Sequence, residues 1–169
     1  MILVGLGANL PHPVFGTPRA TLRAALDLLD ASGLAVIRRS RFYRSSPVPP
    51  SDQPLFVNAV AVVRSELPPA ALLERLHDIE RMFGRVRRER WEARVIDLDL
   101  LDVAGVVTTA GEGVRLPHPR LAERAFVLVP MAEVAPTWRH PVTGRSIVEL
   151  LTVVPGRDDV VALEESEDA

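Results

Sequence analysis

The sequence contains neither cysteine nor lysine, and all 20 of its basic residues are arginines. The absence of cysteine excludes disulfide bonds, thiolate catalysis, iron–sulfur clusters and cysteine zinc sites. The absence of lysine excludes Schiff-base catalysis and a P-loop lysine. The chemistry of the chain must therefore come from carboxylates, guanidinium groups, histidine and hydroxyl groups.

The chain also lacks a large net charge and a long apolar run. The 20 basic residues are matched by 22 acidic residues, which leaves a net charge of −2 and no field that would attract nucleic acid or a membrane. No apolar run approaches the roughly 18 residues of a membrane span. The apolar start at residues 1–4 has no basic segment or cleavage site of a signal peptide. We therefore expect a cytoplasmic protein with no nucleic-acid or membrane partner.

The apolar periodicity predicts an α+β fold. Helices are predicted to begin at Thr17-Pro18 and Pro68-Pro69, where a proline can occupy the first helical position. Alternation and apolar runs predict strands at 2–7, 34–44, 55–66 and 95–103. This β-α-β-β-α-β order is typical of the ferredoxin-like, split β-α-β fold, in which helices pack on one side of an antiparallel sheet. A helical C-terminal extension follows it here. We expect a single domain over 1–160 and an acidic, disordered tail over 161–169.

The segment from Arg81 to Asp99 carries the strongest chemical signal. Six arginines precede two aspartates, Asp97 and Asp99, that are two residues apart and so share one face of a strand. Adjacent carboxylates repel each other unless a cation lies between them, and Mg²⁺ is bound by one or two carboxylates together with substrate phosphates. Arginines bind phosphate oxygens bidentately. Two alternatives stay open: a solvated charged loop, or a single-strand nucleic-acid platform that uses the arginines and Trp91.

Two further segments offer ligand-binding groups. Phe56 and Asn58 share a strand face, where an aromatic ring beside an amide suits a planar heterocycle, although Phe56 in the core and a polar strand end would give the same pattern. A stiff, proline-rich loop at 45–54 precedes them. His118 stands between two prolines that restrict its backbone, so its side chain is expected to have a fixed direction. The alternative is an ordinary loop histidine.

Over residues 1–150 these motifs, in this order, resemble the 6-hydroxymethyl-7,8-dihydropterin pyrophosphokinase family. The matching segments are Gly5-Leu6-Gly7-Ala8-Asn9-Leu10, Phe42-Tyr43-Arg44, Asp52-Gln53-Pro54 with Phe56-Val57-Asn58-Ala59, the run from Gly84 to Leu100, and Leu116-Pro117-His118-Pro119-Arg120 with Glu123-Arg124-Ala125-Phe126. The resemblance implies transfer of a pyrophosphoryl group from ATP to the hydroxymethyl oxygen of the pterin, with release of AMP. The runner-up hypothesis is a metal-dependent domain that binds nucleic acid or cleaves phosphodiesters.

The resemblance also implies the site residues. Two Mg²⁺ ions are expected on the metal ligands Asp97 and Asp99, which form the predicted catalytic set together with Arg85 and Arg94. The predicted ATP contacts are Glu80, Arg85, Arg87, Arg94, His118 and Arg124. The predicted pterin contacts are Ser45, Val48, Phe56, Asn58, Trp91 and Phe126. We expect a monomer whose partners are ATP and the hydroxymethyldihydropterin.

The sequence departs from the family pattern in three places. Ala8 stands where serine is usual, Ser45-Ser46-Pro47 where Thr-Pro-Pro is frequent, and Glu92-Ala93 where Gly-Pro is common. The arginine-rich segment 84–93 is expected to act as a lid, because its like charges repel one another until ATP phosphates neutralise them.

Overall fold

The computed structural model describes residues 1–85, 94–109, 111 and 113–166. The strands are β1 (Ile2–Ala8), β2 (Ala35–Arg39), β3 (Tyr43–Ser45), β4 (Phe56–Arg64), β5 (Asp97–Val103) and β6 (Val161–Ala162). The helices are α1 (Pro18–Ala31), α2 (Pro69–Met82), α3 (Ala125–Val134) and α4 (Ile147–Val153), with 3₁₀ turns at Leu121–Glu123 and Arg157–Asp159. Among these residues no helix combines the length and apolarity needed to cross a membrane.

The strands form one antiparallel sheet in the order β5-β1-β4-β3-β6, and β2 also pairs with β4. The ferredoxin-like prediction is confirmed, but the single strand predicted at 34–44 is wrong because it is broken at Ser40. The backbone N–H of Ser40 donates to Val60 O (2.9 Å), and the N–H of Val60 donates to the Ser40 hydroxyl (3.0 Å). At the break between β2 and β3, the Ser40 hydroxyl thus accepts the hydrogen bond from β4 that a backbone carbonyl would accept in a continuous strand.

The predicted starts of the first two helices are confirmed. The Thr17 hydroxyl caps α1 by accepting the N–H of Ala20 (3.3 Å), and a proline occupies the first turn of both helices. Gly84 follows α2 with a φ of 78°, a left-handed conformation that glycine adopts at little cost.

The sheet is covered on both faces, which corrects the prediction of helices on one side. Helices α1 and α2 pack on the face that carries Val4, Leu6 and Leu98. Helices α3 and α4 pack on the opposite face, against Leu3 and other buried residues. Strand residues alternate between faces, so strands that are apolar on both sides require a helical layer on each. The helical extension is this second layer.

The start of the expected disordered tail belongs to the sheet. Residues 161–162 form β6, which pairs with β3, and the N–H of Leu163 donates to Phe42 O (2.9 Å). Leu163 is buried in the core under α1. The prediction of disorder was therefore wrong for 161–163, because one buried leucine and two residue pairs between β6 and β3 outweigh the acidic composition that follows.

Candidate active site

A cleft crosses the centre of the sheet over β1, where two glycines replace side chains. In the register with β5, Gly5 lies opposite Asp99 and Gly7 opposite Asp97, while in the register with β4 Gly7 lies opposite Asn58. The backbone of β1 therefore forms an open floor between the aspartates and the amide. The other lining residues include Ser45, Ser46, Pro47, Val48, Gln53, Phe56, Arg94, Arg124 and Phe126. The role of these two glycines was not predicted, although their i, i+2 spacing on a predicted strand was the available signal.

Asp97 is enclosed by arginine. Arg85 Nη1 donates to Asp97 Oδ1 (2.5 Å), and Arg94 Nη1 donates to Asp97 Oδ2 (2.7 Å). Burial by itself would raise the pKa of Asp97, but the charges of Arg94 and Arg85 outweigh burial and lower the pKa below its usual value. Asp97 is thus a charged group whose two oxygens are both paired with cations.

Asp99, two residues further along β5, is in a different electrostatic state. Arg124 Nη1 donates to Asp99 Oδ2 (3.2 Å), and His118 Nε2 lies 3.9 Å from Asp99 Oδ1. Burial and the neighbouring charge of Asp97 raise the pKa of Asp99 to about 6, against the opposing effect of Arg124. The charged form of Asp99 therefore requires more positive charge than the adjoining side chains supply.

The two carboxylates suit a hard divalent cation. Oxygen ligands are what Mg²⁺ prefers, and it usually keeps water and takes substrate phosphates alongside one or two carboxylates. Within the described ranges no three or more His, Cys, Asp or Glu side chains are grouped to hold a metal. This donor set fits an ion that arrives with a polyphosphate, and not one enclosed by protein ligands alone.

Glu80, predicted as an ATP contact, is buried beneath the arginines. Its side chain is 2% exposed, and its Oε1 accepts hydrogen bonds from the backbone N–H of Leu98 (2.8 Å) and from Arg85. The carboxylate thus connects the end of α2 to β5 and directs the Arg85 guanidinium toward Asp97.

Asn9 belongs to the first glycine-containing motif, and its role as a connecting residue was not predicted. Its Oδ1 accepts the backbone N–H of Arg94 (2.8 Å), and its own backbone N–H donates to Arg94 O (3.0 Å). Its Nδ2 donates to Gln53 Oε1 (3.2 Å) and to Pro54 O (3.2 Å). The buried Asn9 therefore joins the end of β1 to the segments that lead into β4 and β5.

The predicted pterin contacts that are described meet at the other end of the cleft. Asn58 is 4% exposed, and its Nδ2 donates to the Ser45 hydroxyl (2.8 Å). Phe56 and Phe126 are half-buried along the cleft, and Val48 is exposed at its mouth. A buried amide near two phenyl rings suits a planar, polar heterocycle.

Two predicted contacts, Arg87 and Trp91, lie outside the described residues, as does the predicted lid apart from its first two positions. The other predicted residues meet in one region of the sheet. Carboxylates and guanidinium groups occupy one end of the cleft, and an amide with aromatic rings occupies the other. Such a cleft can bind a polyphosphate and a heterocycle side by side.

Comparison with known proteins identifies relatives along most of the chain. Residues 3–136 match the model of a family described as 7,8-dihydro-6-hydroxymethylpterin-pyrophosphokinase (HPPK). The chain is 44% identical over 134 residues to 2-amino-4-hydroxy-6-hydroxymethyldihydropteridine pyrophosphokinase of Methylorubrum extorquens, covering 79% of this chain and 81% of that protein. It is 40% identical over 155 residues to the protein of the same name from Pseudomonas aeruginosa, covering 91% of each.

Solved structures provide a comparison of folds. The wild-type Plasmodium falciparum HPPK-DHPS chain superimposes with a TM-score of 0.67 at 14% identity, covering 88% of this chain and 43% of that one. At this identity the likeness shows the fold alone. The chain spans less than half the length of that larger protein.

Proposed function

Since this chain belongs to the 7,8-dihydro-6-hydroxymethylpterin-pyrophosphokinase family, we propose that its cleft over β1 transfers pyrophosphate from ATP to hydroxymethyldihydropterin. This reaction of folate synthesis forms a bond from the hydroxymethyl oxygen to the β-phosphorus of ATP and breaks the bond from that phosphorus to the AMP oxygen. The observation that carries the assignment is the division of one cleft into an arginine–aspartate end and an aromatic–amide end. The alternative of a nucleic-acid-binding or phosphodiester-cleaving domain is not supported by the relatives.

The arginine–aspartate end receives the triphosphate. The displacement at phosphorus needs alignment and charge neutralisation, and little covalent help from the protein. Two Mg²⁺ ions, held by Asp97 and Asp99, supply neutralising charge to the phosphate oxygens when bound. Because Arg85 and Arg94 take up both oxygens of Asp97, a cation at Asp97 requires these guanidinium groups to release or share it. The phosphates of the bound ATP then accept hydrogen bonds from these guanidinium groups.

His118 contributes a hydrogen-bond donor. Burial and the nearby Arg124 lower its pKa to about 4, so the ring is neutral at neutral pH. Its Nδ1 accepts the backbone N–H of Arg120 (3.2 Å), which leaves the proton on Nε2. The Nε2–H group, on the side of Asp99, donates to a phosphate oxygen, and Arg124 binds the same polyphosphate.

The aromatic–amide end receives the pterin. The ring lies between Phe56 and Phe126, and Asn58 hydrogen-bonds to its edge with an orientation set by Ser45. Val48 covers the mouth. Trp91 as a pterin contact and Arg87 as an ATP contact remain predictions.

We also propose that the chain forms one catalytic domain that acts as a cytoplasmic monomer; its C-terminal boundary lies beyond the predicted residue 160, because β6 and Leu163 belong to the sheet and core. The described part of the cleft is assembled from β1, β4, β5, α3 and the loop after β3 of a single chain. A second subunit is not needed to supply the carboxylates, the arginines or the amide.

The experiment follows both products. The purified chain is incubated with ATP, MgCl₂ and hydroxymethyldihydropterin, and AMP and the pterin diphosphate are quantified by chromatography. We expect equal amounts of the two products, and neither product without the pterin or with excess EDTA. Formation of ADP, or equal consumption of ATP without the pterin, would contradict the assignment. Asp97→Asn serves as the inactive control.

A further inference from the structure

The segment that follows α4 reaches back to the loop that lines the pterin end of the cleft. Asp159, in the turn Arg157–Asp159, accepts two hydrogen bonds from Ser46, one from the backbone N–H to Oδ2 (2.7 Å) and one from the hydroxyl to Oδ1 (2.9 Å). The two residues are 113 positions apart in the sequence. Asp159 also lies beyond residues 3–136, over which the family model matches.

Asp159 is held on a fixed part of the structure. Its backbone N–H donates to Gly156 O (3.2 Å), and β6, two residues later, pairs with β3 at Arg44↔Val161 and Tyr43↔Ala162. Beyond β6, the Glu164 carbonyl accepts a hydrogen bond from the buried Arg19 (2.5 Å). The carboxylate is therefore placed by backbone pairing on its C-terminal side and by a closed turn on its N-terminal side.

Ser46 is the first residue after β3, at the point where the loop leaves the sheet. On one side of it, Ser45 accepts the hydrogen bond from Asn58, and on the other, 47–49 line the cleft. A serine has no ring to restrict φ, unlike a proline, but it has an N–H group that a proline lacks. Both polar groups of Ser46 are bound by the same carboxylate, which restrains the loop in place of backbone stiffness.

We propose that Asp159 is a positioning residue that pre-organises the loop 46–49 for the pterin through Ser46. This inference rests on the proposed function, in which that loop and Asn58 receive the pterin. A loop that is ordered before the ligand arrives lowers the entropic cost of binding. Within the described part of the chain, the Asp159 carboxylate is hydrogen-bonded to Ser46 and not to the aspartates or arginines of the arginine–aspartate end, so we expect its effect on the pterin and not on the nucleotide.

The test compares Asp159→Ala with Ser46→Ala, with the double variant, and with Asp158→Ala as the matched control. Asp158 is the adjacent aspartate of the same turn, it is exposed, and its side chain makes no hydrogen bond to the described residues. The readouts are KM for the pterin, KM for ATP, kcat, the melting temperature, and the Kd of the pterin with a non-hydrolysable ATP analogue. Asp159→Asn, which keeps the shape and one acceptor oxygen, supplies the same comparison if the alanine variant does not fold.

For Asp159→Ala we expect KM and Kd of the pterin to rise by roughly tenfold, the scale of losing hydrogen bonds to a charged group. KM for ATP, and kcat at saturating pterin, stay within about twofold of the wild-type values, because the arginine–aspartate end is unchanged. Ser46→Ala has a smaller effect, since the backbone N–H remains, and Asp159→Asn is intermediate. Adding Ser46→Ala to Asp159→Ala raises KM and Kd of the pterin little further, since the Ser46 hydroxyl has already lost its partner.

The inference would be overturned by an unchanged pterin Kd in Asp159→Ala, by the same change in Asp158→Ala, or by full additivity of the two substitutions in the double variant. A melting temperature that falls with no selective loss of pterin affinity would assign Asp159 a structural role only, and also overturns it. Failure of the wild-type chain to form the pterin diphosphate is a different result, which refutes the proposed function itself.

Discussion

Gly7 and Asn58 face each other across the β1–β4 register, and a Cβ atom added to Gly7 would lie 3.3 Å from Asn58 Oδ1. The amide thus occupies space that a side chain at residue 7 would crowd, and its Nδ2 donates a hydrogen bond to Ser45. The absence of a side chain at Gly7 leaves room for the amide in this position. This contact links a glycine motif on the first strand to the proposed pterin end.

Gly7→Ala is expected to impair pterin binding selectively. The added methyl group must displace the Asn58 amide by a few tenths of an ångström, which weakens its hydrogen bonds to the ring edge by about 1 kcal/mol and raises KM for the pterin by roughly fivefold. Gly5→Ala is the matched comparison, because its methyl group meets the Leu101 side chain at 3.4 Å, and we expect a smaller effect. Steady-state kinetics in both substrates checks this, and a change confined to KM for ATP would be the opposite result.

Asp97→Asn and Asp99→Asn are expected to abolish turnover but to affect stability in opposite directions. Each removes a proposed metal ligand, and we expect turnover to fall by at least about 10³-fold. Asp97→Asn removes one charged partner from each of the partly buried Arg85 and Arg94 and lowers the melting temperature. Asp99→Asn removes a charge that burial and Asp97 disfavour, so without Mg²⁺ its melting temperature equals or exceeds that of the wild type. Calorimetry in EDTA checks both, and equal destabilisation by the two substitutions would refute the electrostatic account.

Asn58→Ala and Phe126→Ala are expected to weaken binding of the pterin far more than binding of ATP. Unpaired groups on a buried ring edge cost roughly 1–3 kcal/mol, which corresponds to about 5- to 150-fold in affinity. Loss of the Phe126 ring removes a stacking surface and the ring over which the Arg124 guanidinium lies at 5.6 Å. We therefore expect a modest secondary effect on ATP for Phe126→Ala only. Titration calorimetry with each ligand checks this. A loss of ATP affinity alone would show that the proposed pterin contact at Asn58 is wrong.

Acid is expected to destabilise the contact between α3 and β3 through Glu133. Its carboxylate accepts hydrogen bonds from the Tyr43 hydroxyl (2.6 Å) and from the backbone N–H of Arg41 (3.0 Å). Burial opposes ionisation, but these partners outweigh it and lower the pKa of Glu133 below its usual 4.5. A lowered pKa in the folded state means that the stabilisation is present above about pH 4.5 and is lost as the pH falls through the folded-state pKa.

Urea unfolding between pH 7 and pH 3 measures this contribution, which we expect to be on the order of 1 kcal/mol. Glu133→Gln is expected to be less stable than the wild type at pH 7, with a difference that shrinks on acidification. Glu123→Gln, at an exposed position in the turn before α3, is the control. A constant difference between Glu133→Gln and the wild type across this range would contradict the prediction.

The sequence by itself determined the features that depend on local spacing. Alternation along a strand placed Asp97 and Asp99 on one face because side chains two residues apart point the same way in any strand. The start of α1 at Thr17 and the end of α2 before Gly84 follow from capping and backbone preferences of single residues. The motifs and their order were also sufficient to identify the family.

Only the tertiary structure decided which partners these residues meet. Nothing local distinguishes Asp97, paired with two arginines, from Asp99, whose charge is only partly compensated. The helical layer on the second face, and the hydrogen bonds between Ser46 and Asp159 across 113 positions, depend on strand register and on where the chain returns to the sheet. Pairings of this kind are decided by the packing of the whole chain, because residue types and short-range periods carry no information about which distant segments become neighbours.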